Sequence, residues 1–179
     1  MPGHIDDTQQ ALDPDGDASL TSKLASLLSQ AATARASGRL EESAALLAQA
    51  LAAAPAHPRV EFAAGQLASV QARWQAAAEH YAKAAAFESD ILQRGRAHFG
   101  HGVALAMLAR ADGRTDCPEA EQAFTRAAAD RPGDGRPHLA LASLLRAAGK
   151  EEQARVAAAI AAALDPRAKG GAGAGGSAT

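Results

Sequence analysis

Residues 132–166 read PGDGRPHLALASLLRAAGKEEQARVAAAIAAALDP, and this stretch decides the fold. Apolar residues recur every three or four positions from Leu139 to Leu145 and again from Ala154 to Leu164, the mark of two amphipathic helices. Gly149 stands between them, where glycine accepts the left-handed backbone that ends a helix. The second run opens on Glu151-Glu152, and carboxylates are favoured at the positive end of a helix. Pro137 suits a first turn, whose N–H groups have no intrahelical acceptor. Pro132 and Pro166 lie 34 residues apart, and each follows an alanine-rich run.

The same punctuation continues toward the N-terminus. Pro55 closes another alanine-rich run, and a step of 34 from it lands on Ser89, which closes AKAAAFES. From Ser89 to Pro132 is 43, nine more than 34, an excess that suits extra residues around a third helix pair, notably ARADGRTDC at 109–117. Gly38 and Gly113 sit at further helix ends, and Pro58 at a helix start. Asp116 is placed to cap the next helix, with Glu119 three positions on reaching back as a capping box. The pattern predicts eight helices, roughly 20–37, 40–54, 58–71, 74–87, 90–110, 117–130, 136–148 and 151–164.

With a helix–turn–helix unit of 34 residues, the chain resembles the tetratricopeptide-repeat (TPR) family over about residues 24–168. In the fourth unit Ala142, Leu145, Gly149, Ala154, Ala161 and Pro166 match the family's small, large, turn and terminal positions. The matching residues are Ala31, Gly38, Ser43, Leu47, Ala50 and Pro55 in the first unit, and Gly65, Trp74, Ala77, Tyr81 and Ala84 in the second. In the third they are Gly102, Leu105, Ala120, Phe124, Ala127 and Pro132. Small residues let paired helices touch, and a large residue such as Leu47, Tyr81 or Phe124 fills the gap beside them. One pair cannot bury its apolar face alone, so units stack. The resemblance implies an all-α, right-handed superhelical stack of about four repeats over 19–166, with units near 24–57, 58–91, 92–134 and 135–168. The chain departs from the family pattern at Gln30 and Ala34, which replace large apolar residues. It departs again at Ala72, which replaces the turn glycine, and at Ser89, which replaces the terminal proline.

Composition agrees with packed helices: 47% of residues are hydrophobic but only 3% aromatic, and alanine, the best helix former, dominates the apolar set. Residues 1–18 are acidic and polar and read as a disordered arm; residues 167–179, RAKGGAGAGGSAT, read as a flexible tail. Residues 1–19 carry five aspartates and no Lys or Arg, which leaves 15 acids and 18 bases elsewhere. That balance is too mild for nucleic-acid binding. No stretch reads as a membrane span and no signal peptide opens the chain, so the expected location is cytoplasmic. The tail glycines lack the Gly-Lys-Ser/Thr of a phosphate loop. They also admit that the chain is a piece of a larger protein.

Chemistry-bearing residues are few. His98 and His101 lie three apart in HFGHG and, with Cys117, form a candidate ligand group, but no fourth ligand is evident, so no metal, cofactor or catalytic residue is assigned. Cys117 at a helix N-terminus would have a lowered pKa, yet no motif supplies a base. The other histidines, including His57, His80 and His138, read as surface or packing residues, and Trp74 as core.

By the family resemblance, the first helix of each pair lines the inner surface and grips a partner. The positions so implied are Leu28 and Arg35, then Arg59, Phe62, Gln66 and Ser69. Arg96, Phe99 and Val103 follow from the third unit, and Arg136, Leu139, Ser143 and Arg146 from the fourth. Arginines among apolar residues suit a protein or peptide segment of acidic and apolar character. The lysines and asparagines of the family's carboxylate-clamp members are not matched. The expected function is a non-enzymatic interaction module, an adaptor or assembly factor. The alternatives are a self-assembling structural protein, suggested by the apolar RVAAAIAAALDP, and an accessory domain of a larger enzyme. The acidic arm is also a candidate to fold back on the arginine-bearing surface.

Overall fold

The computed structural model describes residues 14–164, with side chains from residue 19. Every described element is an α-helix: α1 Pro14–Ala36, α2 Leu40–Ala53, α3 Pro58–Val70, α4 Trp74–Phe87, α5 Ile91–Ala111, α6 Pro118–Asp130, α7 Gly135–Ala147 and α8 Glu151–Leu164. The arm expected over 1–18 is corrected at its end, because α1 already runs through 14–18; Pro14 at the first position sets a helical φ and needs no N–H partner. The rest of the arm and the glycine tail lie outside the described residues.

The helices pair as antiparallel neighbours, α1 with α2 through α7 with α8, and each pair stacks on the next. Val60 of α3 packs against Leu24 and Leu27 of α1 and Ala50 of α2, which joins the first two pairs. Phe124 of α6 packs against Ala140, Leu141 and Leu144 of α7, which joins the last two.

Ring size is matched by missing side chains on the facing helices. A Cβ at Gly65 would come within 2.9 Å of the Tyr81 ring, and one at Gly100 within 2.8 Å of the same ring. Gly102 stands in the same relation to Phe124, at 2.7 Å. Where the facing residue is alanine, the filler is smaller: Ala31 meets Leu47 in the first unit, and Ala142 packs with Ala154 and Ala157 in the fourth.

The turns use the expected glycines: Gly38, Gly113 and Gly149 have φ of 75, 70 and 74°. Ala72 takes the equivalent conformation at φ 54° without being glycine. The capping box expected at Asp116 does not form. Cys117 is the N-cap and makes no cap hydrogen bond, while Asp116 accepts from Lys150 Nζ at 3.0 Å. Pro118 at the first helical position already removes one of the donors such a cap would serve. The extra residues of the third unit are also divided. Three lie ahead of Gly102, since Ala77 to Gly102 spans 25 residues where Ala120 to Ala142 spans 22; the other six precede Ala120, around the expected 109–117. Trp74, expected in the core, opens α4 and is only partly buried.

Candidate partner-binding site

The first helices of the pairs (α1, α3, α5 and α7) line a continuous trough. Its wider part, about 650 Å³, lies between α1, α3 and α5 and is lined by Leu28, Arg35, Arg59, Phe62, Gln66 and Arg96 among others. A smaller part of about 290 Å³ shares Phe62, Gln66 and Arg96 and adds Ser69, Phe99, Val103 and Arg136. Ten of the residues implied by the resemblance therefore meet in one trough. The other three do not. Leu139 faces an apolar cleft at the C-terminal end of the array, with Arg136 on its edge. Ser143 borders a separate hollow beside Cys117. Arg146, in the last turn of α7, lines none of these spaces.

The trough arginines differ in what holds them. Arg96 lies over the Phe62 ring at 5.3 Å and donates to Gln93 Oε1 at 3.0 Å. A guanidinium stacked by its face is oriented at small entropic cost and keeps its N–H edge for an acceptor. Arg136 lies over Phe99 at 5.7 Å, which repeats the Arg-on-Phe step one unit along. Arg136 is nevertheless engaged, because Asp134 accepts its Nε at 2.9 Å and its Nη2 at 2.6 Å. That pairing holds the Asp134 carboxyl below its usual range. Arg35 donates to Gln66 Oε1 at 2.6 Å. Arg59 is exposed and has no side-chain partner among the described residues. Ser69 is turned inward, donating to the Gly65 carbonyl at 2.9 Å. The floor is aromatic: Phe62 meets Tyr81 edge-on at 5.5 Å, and Phe99 meets Phe124 at 5.8 Å.

Sequence reasoning missed the acidic edge of the trough, Glu88 and Asp90 at the α4–α5 corner. Both accept backbone N–H bonds, Glu88 from Asp90 and Asp90 from Leu92 and Gln93. The Ser89-Asp90 start of α5 was a readable cap signal. A half-buried pair was also missed: Glu61 Oε2 and His80 Nδ1 are 2.7 Å apart between α3 and α4. Nothing in the spacing of 19 residues announces it.

The candidate ligand group is not assembled. Among the described residues no three His, Cys, Asp or Glu side chains are gathered around a metal-sized space. His98 Nε2 lies 3.8 Å from Asp130, which Arg94 grips through two hydrogen bonds of 3.0 and 2.8 Å. Burial holds His98 and His101 below the usual imidazole range. The Cys117 thiol faces the Leu105 carbonyl at 3.9 Å and Glu119 Oε2 at 3.5 Å. The lowered pKa expected of it is corrected: burial pushes the thiol up, and the Glu119 carboxylate adds to that against the backbone N–H of Ala120.

Paired helices in 34-residue register, small residues at the contacts and a trough lined by the first helices define the tetratricopeptide-repeat fold, and this chain is a helical-repeat protein of that class. Solved structures agree. A MamA structure from AMB-1 is 27% identical over 79% of this chain and 79% of that one, with a TM-score of 0.67. A MamA structure from MSR-1 is 24% identical over 80% and 78%, with a TM-score of 0.65. A thermophilic TPR protein of Thermus thermophilus is 18% identical over 79% and 74%, with a TM-score of 0.63. No protein-family model and no curated protein matches the chain. No helix among the described residues is long and apolar enough to cross a membrane.

Proposed function

We propose that this protein is a non-catalytic binding module of the cytoplasm, an adaptor or assembly factor that holds an acidic, apolar segment of a partner protein in the trough. The observation that carries the reading is the convergence of Arg35, Arg59 and Arg96 on an apolar floor that includes Leu28 and Phe62. Arginines that no carboxylate among the described residues engages can bind one, and the rings and aliphatic residues between them accept apolar side chains. Arg136 is left out of this set because its Nε and Nη2 are already paired with the Asp134 carboxylate.

The test is fluorescence polarisation with two labelled peptide pools, one alternating Asp/Glu with Leu/Phe and one alternating Lys with Leu/Phe. The protein retains the acidic pool, and Arg59→Glu/Arg96→Glu weakens it at least about tenfold, since hydrogen bonds to charged groups contribute about 1.5–3 kcal/mol each. Equal binding of both pools, or an unaffected double variant, would defeat the trough assignment. A pull-down from native extract, wild type against the same variant, then identifies the partner.

A further inference from the structure

The two ends of the stack have opposite character. Within the array, the outer face of each pair is covered by the first helix of the next. Ala50, Leu51 and Ala54 are met by Val60, Ala84 and Ala85 by Ala97, and Phe124 by Ala140, Leu141 and Leu144. In the 34-residue register the corresponding positions of α8 are Ala158, Ala161 and Ala162. They line an open apolar cleft of about 900 Å³ together with Leu92, Leu139 and Leu164. Leu139 stands 60% exposed and Leu92 56% exposed at its walls. Leu139 holds the place of Phe99, which is covered by Arg136 of the following unit.

The N-terminal end is closed by polar residues. The positions of α1 that correspond to Val60, Ala64 and Leu67 of α3 are Ser26, Gln30 and Thr33, all exposed. Gln30 Nε2 donates to Ser26 Oγ at 2.9 Å, and Thr33 Oγ1 donates to the Ser29 carbonyl at 3.0 Å, so hydrogen bonds run along this face. A repeat array needs such a polar outer face to end in water. Among the described residues the α8 end lacks it.

We infer that the α7–α8 end docks the same end of a second copy, forming a two-fold dimer that leaves both troughs open. Head-to-tail stacking would bury the Ser26, Gln30 and Thr33 groups against leucine and alanine, at a cost for every polar group left without a partner. Tail-to-tail stacking buries apolar on apolar. The patch also carries both a protrusion and a hollow, Leu139 and the alanine-lined floor of Ala158, Ala161 and Ala162. A two-fold axis inserts each Leu139 into the other copy's hollow, as an isologous interface requires. The charges at the rim are already paired within the chain, Asp134 with Arg136 and Arg131 at 2.6 and 3.2 Å. Residues 165–179, DPRAKGGAGAGGSAT, contain no apolar side chain larger than proline to fill the cleft. Two helices side by side present a face of roughly 20 by 20 Å, about 800 Å² in all when two copies meet, which is the size of weak, transient interfaces, so the dimer is a weak one with a dissociation constant on the order of tens of micromolar. The inference stands apart from the trough reading, since neither Arg59 nor Arg96 takes part.

Analytical ultracentrifugation of the full chain tests it. Wild type sediments as a monomer–dimer equilibrium, and Leu139→Glu and Ala162→Glu each raise the dissociation constant at least about tenfold with unchanged helicity by circular dichroism. Both positions face the cleft from exposed sites, so the folded monomer tolerates them. Ala162→Cys crosslinks to itself under mild oxidation, whereas wild type, whose one thiol is buried, does not. A wild-type monomer at about 200 µM, above a dissociation constant on the order of tens of micromolar, would overturn the inference. So would a dimer indifferent to Leu139→Glu. Oligomers that grow beyond two, with Ser29→Cys crosslinking to Ala162→Cys, would replace it with head-to-tail assembly.

Discussion

The packing of Tyr81 against two glycines gives a sharp test of how the repeats are held. Gly65→Ala changes two opposed terms. Alanine inside α3 improves helix propensity by about 1 kcal/mol. The new Cβ, however, lies 2.9 to 3.0 Å from three ring atoms of Tyr81. Overpacking of this kind costs about 1–3 kcal/mol when the neighbour cannot move. Here it has little room, because the Gly100 position also meets the ring at 2.8 Å and Phe62 packs against it edge-on. The clash at least offsets the propensity gain, and the expected net loss is about 0–2 kcal/mol. The natural remedy is present in the first unit, where Ala31 faces Leu47. Gly65→Ala/Tyr81→Leu should therefore be less damaging than the sum of its parts, with a favourable coupling of at least about 1 kcal/mol in a double-mutant cycle. Urea unfolding followed by circular dichroism supplies all four stabilities. If Gly65→Ala alone is more stable than wild type, or the two changes simply add, the matching of ring to glycine is not what sets the unit's packing.

Ala72→Gly should raise stability by about 1 kcal/mol, because residue 72 sits at φ 54° where an L side chain is strained; a lower urea midpoint would contradict this. His80→Ala leaves the buried Glu61 carboxyl without its 2.7 Å partner and should cost about 1–3 kcal/mol, read from the same unfolding curves, with Glu61→Leu/His80→Leu closer to wild type. Acidification should destabilise the fold in two steps. His98 and His101 are held below the ordinary value, so the unfolded chain binds more protons and stability falls from about pH 6.5 downward. Asp130 and Asp134, held low by Arg94 and Arg136, add a second loss below about pH 4. His98→Gln/His101→Gln should remove the upper step and leave the lower one, and a urea midpoint that is flat from neutral pH to about pH 5 would refute the first step. Removing residues 1–13, which keeps all of α1, should tighten binding of the acidic peptide pool at low salt if the arm competes for the arginines; unchanged affinity would dismiss that role.

Much of the architecture was legible because it is written in local signals. Periods of three and four, prolines at helix starts and glycines at helix ends operate within a few residues of the chain. They located α2, α4 and α8 to within a residue and fixed the turn at Gly149. The 34-residue register then placed the first helices of the pairs along one side, and Arg35, Arg59, Phe62 and Arg96 with them. The tertiary structure decided what depends on residues far apart in sequence or on competition between partners. Asp134 pairs with Arg136 inside the trough, Asp116 turns to Lys150 rather than capping α6, and burial raises the pKa of a thiol that its place at a helix start would lower. Only the stack shows that Tyr81 is held by glycines from two different units, and that Leu139 ends the ladder of covered residues without a cover of its own. Local propensity determines where helices begin and stop; which charges remain free and which apolar faces remain open is settled when the helices close on one another, because both depend on neighbours that the chain itself does not place side by side.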